Sequence, residues 1–462
     1  MPHPPNLLDL SDAGEVVFVT PGGDPVQAAA IYVSGRLVWT GTEAAQTIHL
    51  AWAEPWVDAS TGVIVSWCSD SADGRLHWRP DGAGVWRAKG SQWTRPTPDS
   101  TGRWLHSVRV TGLAPGAEIE VGWPGSAELR TLRTAPAEDV VVIWASDQHG
   151  NASAMATGAT PAQAFAADLI VMPGDLVSDD GARDEAAVDG WLALIGSMNG
   201  WVSGRLPLLA FGLGNHDMNG AVGPIDIFAS AAWWEGWPDR LSPATWALSV
   251  GAELRIIHVD TGWIDSVASQ AGWIAGQVAE AAAGHRHVMV CGHSPAFGAA
   301  ENFPGFDAAA RAVHLREIVW PILCAYADRV RAYVCGHEHI LTATAPLVTE
   351  PDPALDAEAN WLRWRTVAAN AGVRQIGAGP VGGTRLEPDA SRATGAVSSL
   401  DASPRMIAAY GQDGSGEPVA LGDILAPTAE RRHFWVTTHG ATGWTATAVS
   451  IDGATLYQIS ED

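Results

Sequence analysis

Nine residues in five short stretches carry the side chains that could do chemistry. Ala145-Ser-Asp-Gln-His-Gly150 offers Asp147 and His149, and Pro173-Gly-Asp-Leu176 offers Asp175. Phe211-Gly-Leu-Gly-Asn-His-Asp217 offers Asn215, His216 and Asp217. Val290-Cys-Gly-His-Ser294 offers His293, and Val334-Cys-Gly-His-Glu-His339 offers His337 and His339. Carboxylates, imidazoles and an amide oxygen are hard or borderline metal donors. Asp147, His149, Asp175, Asn215, His293, His337 and His339 are too many for one tetrahedral zinc and suit two ions sharing a bridge. A carboxylate can bridge two ions, whereas a neutral imidazole cannot. Two ions roughly 3.5–4 Å apart clamp a phosphate and activate a water. His216, directly after the amide donor, can move a proton, and Asp217 can orient its ring.

Such side chains need elements that bring them together. Each stretch follows an apolar run that reads as a strand: 140–145, 169–172, 208–211, 287–291 and 331–335. Helical stretches are expected at 183–198, 270–283 and 308–327, the last interrupted near Pro321, with a hairpin at 246–259. This alternation predicts an α/β layered unit, in which ligands bind beyond the carboxyl ends of the strands. One Gly-His at a strand end is ordinarily a turn with a surface histidine; five ordered sets after apolar strands are a pocket. His285 and His287 sit at the start of their strand, after Gly284 and on the opposite edge of the sheet, and read as solvated loop residues. His49, His77, His106, His258 and His314 lack acidic or histidine company at ligand spacing and read as structural.

The rest of the chain frames that unit. Residues 1–44 read as a tail and a β-hairpin extension. Residues 45–136 read as an all-β sandwich of about seven strands, with Gly, Pro and Asp between them. Thr134-Ala-Pro-Ala137 is the expected junction, so the α/β unit spans 137–462, with an irregular insertion at about 346–432. The net charge of −24, with Lys89 the one lysine, repels polyanions; broad nucleic-acid binding, and with it a DNA nuclease, is disfavoured. No run approaches the ~18 apolar residues of a membrane helix, and Met1-Pro-His-Pro-Pro5 does not open a secretory signal; the expectation is no membrane and a cytoplasmic default. Cys68, Cys291, Cys324 and Cys335 form no CxxC pattern and read as reduced thiols. The 23 tryptophans read as packing, with exposed platforms for sugars as the alternative. A second reading therefore makes the chain a surface or glycan/protein-binding module with the α/β unit as an accessory domain.

The five ordered motifs resemble those of the calcineurin-like metallophosphoesterase family, over roughly residues 139–345 and the closing strands after 433. Within it the chain looks most like the purple acid phosphatase type, whose fibronectin type III-like module the preceding sandwich resembles. The resemblance implies a four-layer αββα sandwich behind an all-β one, and hydrolysis of a phosphomonoester or phosphodiester by in-line attack of a metal-activated hydroxide. It implies that Asp147, His149, Asp175 and His339 hold one ion, and that Asp175 bridges to a second held by Asn215, His293 and His337. His216 would then protonate the leaving oxygen, with Asp217 orienting it. Purple enzymes place a tyrosine three residues after the bridging aspartate; here Ser178 stands there, so two divalent ions (Mn, Fe or Zn) are expected rather than a ferric–tyrosinate centre. Asn302 is the polar residue nearest the place of the family's extra substrate histidines. The implied substrate is a small phosphate ester.

Overall fold

The computed structural model describes residues 16–19, 30–33, 36–40, 47–97 (except 84), 101–123, 129–177, 185–217, 239–297 (except 243), 314–351 (except 340 and 345), 362–383 (except 369), 406–409 and 432–461. Ser178, Asn302 and most of the 346–432 insertion lie outside them.

Short β-branched and aromatic runs form the strands that matter here: β1 Ile48–Pro55, β2 Gly62–Ser69, β3 Trp104–Thr111, β4 Val140–Trp144, β5 Leu169–Met172 and β6 Leu208–Phe211. Then follow β7 Thr245–Val250, β8 Leu254–His258, β9 His287–Cys291, β10 Val330–Cys335 and β11 Arg374–Gly377. β12 His433–Gly440, β13 Gly443–Ser450 and β14 Thr455–Glu461 close the chain. One sheet runs β14-β13-β12-β4-β5-β6-β1-β2-β3 and ends on Trp93–Pro96; in it β4, β5 and β6 are parallel. The other is centred on the parallel strands β8-β9-β10-β11.

The two sheets face each other, and their strands are apolar on both sides because both sides are covered. Along β9, Met289 and Cys291 join the core shared with the first sheet, while Val288 and Val290 pack with Ile274 and Val278 of helix α3 (Val267–Gly284). Helices α1 (Ala152–Gln163) and α2 (Glu185–Met198) cover the outer side of the first sheet through Met155, Trp191 and Leu194. This is the αββα layering that the resemblance implies. Asn151 Oδ1 caps α1 by accepting from Ala154 N–H at 3.0 Å, and Ser266 Oγ caps α3 through Ser269 N–H at 3.2 Å.

Among the described residues, the region before β4 is all-β. A five-stranded sheet (Val16–Val19, Val85–Gly90, Arg75–Pro80, Glu118–Gly122 and Leu129–Arg133) accompanies β1, β2 and β3. Leu76, Trp78, Ile119 and Val121 of one sheet share a core with Val63, Val65, Trp67 and Val108 of the other, as in a sandwich. Ala30–Val33 pairs with Arg36–Thr40 as the expected hairpin. The sandwich is joined edge-on to the α/β unit. β1 meets β6 in parallel at Ala53 and Leu208, Asn199 Nδ2 donates to Ala51 O at 2.8 Å, and the Trp52 and Trp191 rings meet edge-to-face at 5.1 Å. On the other side Ala59 N–H donates to Ser249 O and Ser249 N–H to Val57 O, at 2.9 and 2.8 Å. β6, which leads into Asn215, therefore has a neighbour on both edges. No helix of the described residues is long and apolar enough to cross a membrane. The four cysteines are free, and Cys68, Cys291 and Cys335 are buried.

Candidate metal centre

The five loops that leave β4, β5, β6, β9 and β10 meet at one end of the facing sheets. Their backbones are bent in an uncommon way. Asp147, His149, Asp175, His337 and His339 have φ of 57°, 49°, 54°, 73° and 51°, the left-handed region that non-glycine residues avoid. Each such residue costs about 1–3 kcal/mol and persists only where its surroundings over-determine it. Hydrogen bonds between loops do so here. Asp147 N–H donates to Gly174 O (3.1 Å), His149 N–H to Asp175 O (3.0 Å) and Gly336 N–H to His293 O (2.9 Å). His337 N–H donates to Asp147 Oδ1 at 2.8 Å, and Gly383 N–H, from the loop after β11, to Asp147 O at 2.8 Å. Two glycines allow the close approach. A Cβ on Gly214 would lie 2.2 Å from Asp175 Oδ1, and one on Gly383 would lie 2.8 Å from His339 Cε1.

The side chains so placed form two groups. Asp147, His149, Asp175 and His339 bring one donor atom each within 4.8 Å of one another, and so do Asp175, His293 and His337. Asp175 belongs to both. Asn215 joins the second group: its Oδ1 lies 3.0 Å from His293 Nε2 and 2.9 Å from His337 Nδ1. In the first, His149 Nε2 and His339 Nε2 are 3.0 Å apart, and the His216 ring leans edge-on against His149 at 4.5 Å. Asp217 is fully buried and accepts backbone N–H groups: Leu176 and Val177 at Oδ1 (2.9 and 3.2 Å) and Gly214 at Oδ2 (2.8 Å).

The electrostatics call for positive charge. Asp147 and Asp175 are buried side by side, and their ion-pair partners among the described residues are histidines alone. Burial, then the Asp147 charge, pushes the Asp175 carboxyl up to about 7. Burial acts to raise Asp147 too, but the hydrogen bond and charge of His339, with His293 and His149, hold it well below the usual range. Burial lowers His149 to about 4, against the pull of Asp147, so it is a neutral imidazole at pH 7, the form that ligates metals. Asp147 Oδ2 is buried and accepts no hydrogen bond. A buried, orphaned carboxylate oxygen in a cluster of imidazoles is an environment that a divalent cation completes, and the residues fit one in each group.

Residues 140–341 match the model of the calcineurin-like phosphoesterase family. The chain carries a calcineurin-like phosphoesterase domain. Domains of that family are phosphoric ester hydrolases. Among solved structures it is similar to a purple acid phosphatase from yellow lupin (Lupinus luteus) seeds, at 12% identity over 90% of this chain and 74% of that one, with a TM-score of 0.60. A dimetal phosphatase from Danio rerio matches at 9% identity over 70% of this chain and 98% of that one, with a TM-score of 0.40. At such identity the lupin enzyme speaks to the fold alone. No curated protein sequence matches the chain.

The structure thus gathers all seven donor residues read from the sequence, with His216 and Asp217 beside them. It corrects one expectation. His287 is not a solvated loop residue: it is buried as the first residue of β9, between Glu253, Arg331 and the Gly440 carbonyl. Its burial comes from the end of β12, some 150 residues further along, which local sequence does not show. His285 is half-buried at the end of α3. His106 and His258 are buried and hydrogen-bonded as structural histidines should be. Two buried polar residues that support the phosphoesterase loops went unnoticed. Gln375 Oε1 accepts from Ala296 and Phe297 N–H at 2.8 and 2.9 Å, fixing the loop after His293. Asp260 accepts N–H groups of residues 262–265. Their signal was a polar residue on or just after an apolar strand.

Proposed function

We propose that this chain is a two-metal hydrolase of small phosphate esters. Support comes above all from the two donor groups that share the buried Asp175. The residues would divide as Asp147, His149, Asp175 and His339 for one divalent ion and Asp175, Asn215, His293 and His337 for the other. When bound, the two ions supply charge neutralisation for the phosphoryl oxygens and a water activated at neutral pH. The chain does the remainder. The left-handed loops hold the donors in place before substrate arrives, so little reorganisation is needed in the transition state. Asp175 lies between the groups and fixes their separation. The His216 ring rests on His149, and would give a ring N–H proton to the leaving oxygen as general acid. Ser178, where purple enzymes have tyrosine, favours two divalent ions of the Mn, Fe or Zn kind.

The division at about residue 136 into a sandwich and a catalytic domain is part of this proposal, with the sandwich as a support for β6. A glycan-binding role gains no such support. Among the described residues of the sandwich Trp52, Trp67, Trp78, Trp86 and Trp123 are buried, and Trp56, Trp93 and Trp104 are half-buried. The test is hydrolysis of p-nitrophenyl phosphate and bis(p-nitrophenyl) phosphate by chelator-treated protein resupplied with Mn²⁺, Zn²⁺ or Fe²⁺. Turnover of at least one ester that depends on added metal is expected; turnover of neither with any metal contradicts the proposal.

A further inference from the structure

The loops after β5 and β6 exchange carboxylates. Asp175, from the first, accepts His216 N–H from the second at 2.8 Å through Oδ1. Asp217, from the second, accepts Leu176 and Val177 N–H from the first, and Gly214 N–H from its own loop. The loops also touch backbone to backbone, since a Cβ on Gly174 would lie 2.6 Å from Gly214 N. One carboxylate of this clasp is the donor common to both groups; the other coordinates nothing in either group. Asp217 is 0% exposed, and its two oxygens take up three N–H groups that no water could satisfy in its place.

We propose that Asp217 is a positioning residue that sets where Asn215 stands relative to Asp175, rather than the orienter of the His216 ring. The inference rests on the two-metal reading above. The clasp ties the Asp175 loop to the Asn215 loop at three backbone points. The first donor group draws on the loops of β4, β5 and β10 and needs no residue of the β6 loop. The second needs Asn215. Loosening the clasp should therefore weaken the second group and leave the first nearly intact.

Asp217→Asn keeps the size of the side chain but turns one acceptor into a donor, so at least one of the three N–H groups loses its partner. Asp217→Glu keeps the charge but moves the carboxylate by one methylene. Calorimetric titration of the metal-free full-length chain with Mn²⁺, alongside apo-protein melting, reads the effect without reference to turnover. Two binding steps are expected for the wild type. In both variants one step should lose affinity by roughly 10–100-fold, the range for a removed outer-shell partner, while the other changes by less than about threefold. Equal weakening of both steps, or a lower melting temperature with both steps unchanged, overturns the positioning role. Full rescue by Asp217→Glu overturns it as well, because the carboxylate would then act by charge at a distance. If one variant fails to fold, the other carries the same comparison. Fewer than two steps in the wild type refutes the two-metal reading, and the proposal with it; two steps in the wild type and unchanged steps in the variants refute the Asp217 role alone.

Discussion

Two sets of histidines lie at opposite ends of the same sheets, and only one is built like a metal centre. At the carboxyl ends, His149, His293 and His339 approach Asp175 or Asp147 at 3.6, 3.2 and 3.5 Å, and among the described residues nothing cationic but imidazole reaches those carboxylates. At the amino ends, His287 and His439 have ring centroids 5.3 Å apart, and Glu253 lies 3.3 Å from His287. There the protein supplies the positive charge itself. Arg286 Nε is 3.1 Å from Glu253, and Arg331 Nε donates to His287 Nδ1 at 2.9 Å. His287 Nε2 then donates to Gly440 O at 3.1 Å, so both ring nitrogens are used. The backbones differ as well: left-handed at five of the donor residues, extended at His285 with φ −126° and regular strand at His287 and His439. Histidine and carboxylate together do not make a metal site. What matters is whether their charge is already met.

That contrast should appear most strongly on removing one carboxylate at each end. Asp175→Asn takes the common donor from both groups. It should abolish binding of both ions and lower kcat/KM by at least roughly 10³-fold, the several kcal/mol that metal charge stabilisation supplies. Glu253→Gln, at the amino end, should leave metal content and activity within about twofold and lower stability by about 1–3 kcal/mol, seen as a lower denaturation midpoint. Loss of metal in Glu253→Gln would erase the distinction.

A smaller effect separates donors from the proton-transfer group inside the metal pocket. His216→Ala should keep both ions and lose activity by roughly 10²–10⁴-fold toward an alkyl phosphate, with a smaller loss toward an aryl phosphate whose leaving group needs little help. Equal losses with both esters would assign His216 to phosphate positioning, and loss of an ion would make it a donor.

The mildest effect is on acid stability. Burial lowers His287 to about 4 and also holds His439 well below its ordinary value of 6.5. Both folded values lie below the unfolded one, so the unfolded chain binds these protons first. The contribution to stability is complete above pH 6.5 and is lost as pH falls from there toward 4. Removing the titrating group by His287→Gln should flatten the fall of the melting temperature over that window, by no more than about 1.4 kcal/mol per pH unit. An unchanged slope would mean that His287 does not carry the acid sensitivity.

The sequence made the donor set legible because each donor sits two to five residues beyond an apolar strand, a position that local pattern reveals. Much of the layering was legible for the same reason. Helix α1 was not: Gly158 and Pro161 interrupt any apolar periodicity, and the helix is held by its Asn151 cap and by packing of Met155. Strands Val85–Gly90 and Trp93–Pro96 escaped because Lys89, Gly90 and Pro96 read as turn or edge residues. The backbone partners of Asp217 were out of reach for another reason. They depend on how closely two loops approach, which Gly174 and Gly214 permit but do not announce. The edge-on joining of β1 to β6 is likewise a matter of chain neighbours far apart in sequence.

The central claim is that Asp175 is shared by two donor groups, each completed by one divalent ion. Elemental analysis of the purified full-length chain, saturated with Mn²⁺ and freed of excess by gel filtration, tests it most directly. Two ions per chain in the wild type, falling to none in Asp175→Asn, is the expected result. A wild type that holds at most one ion, or an Asp175→Asn variant that still holds two, would contradict it.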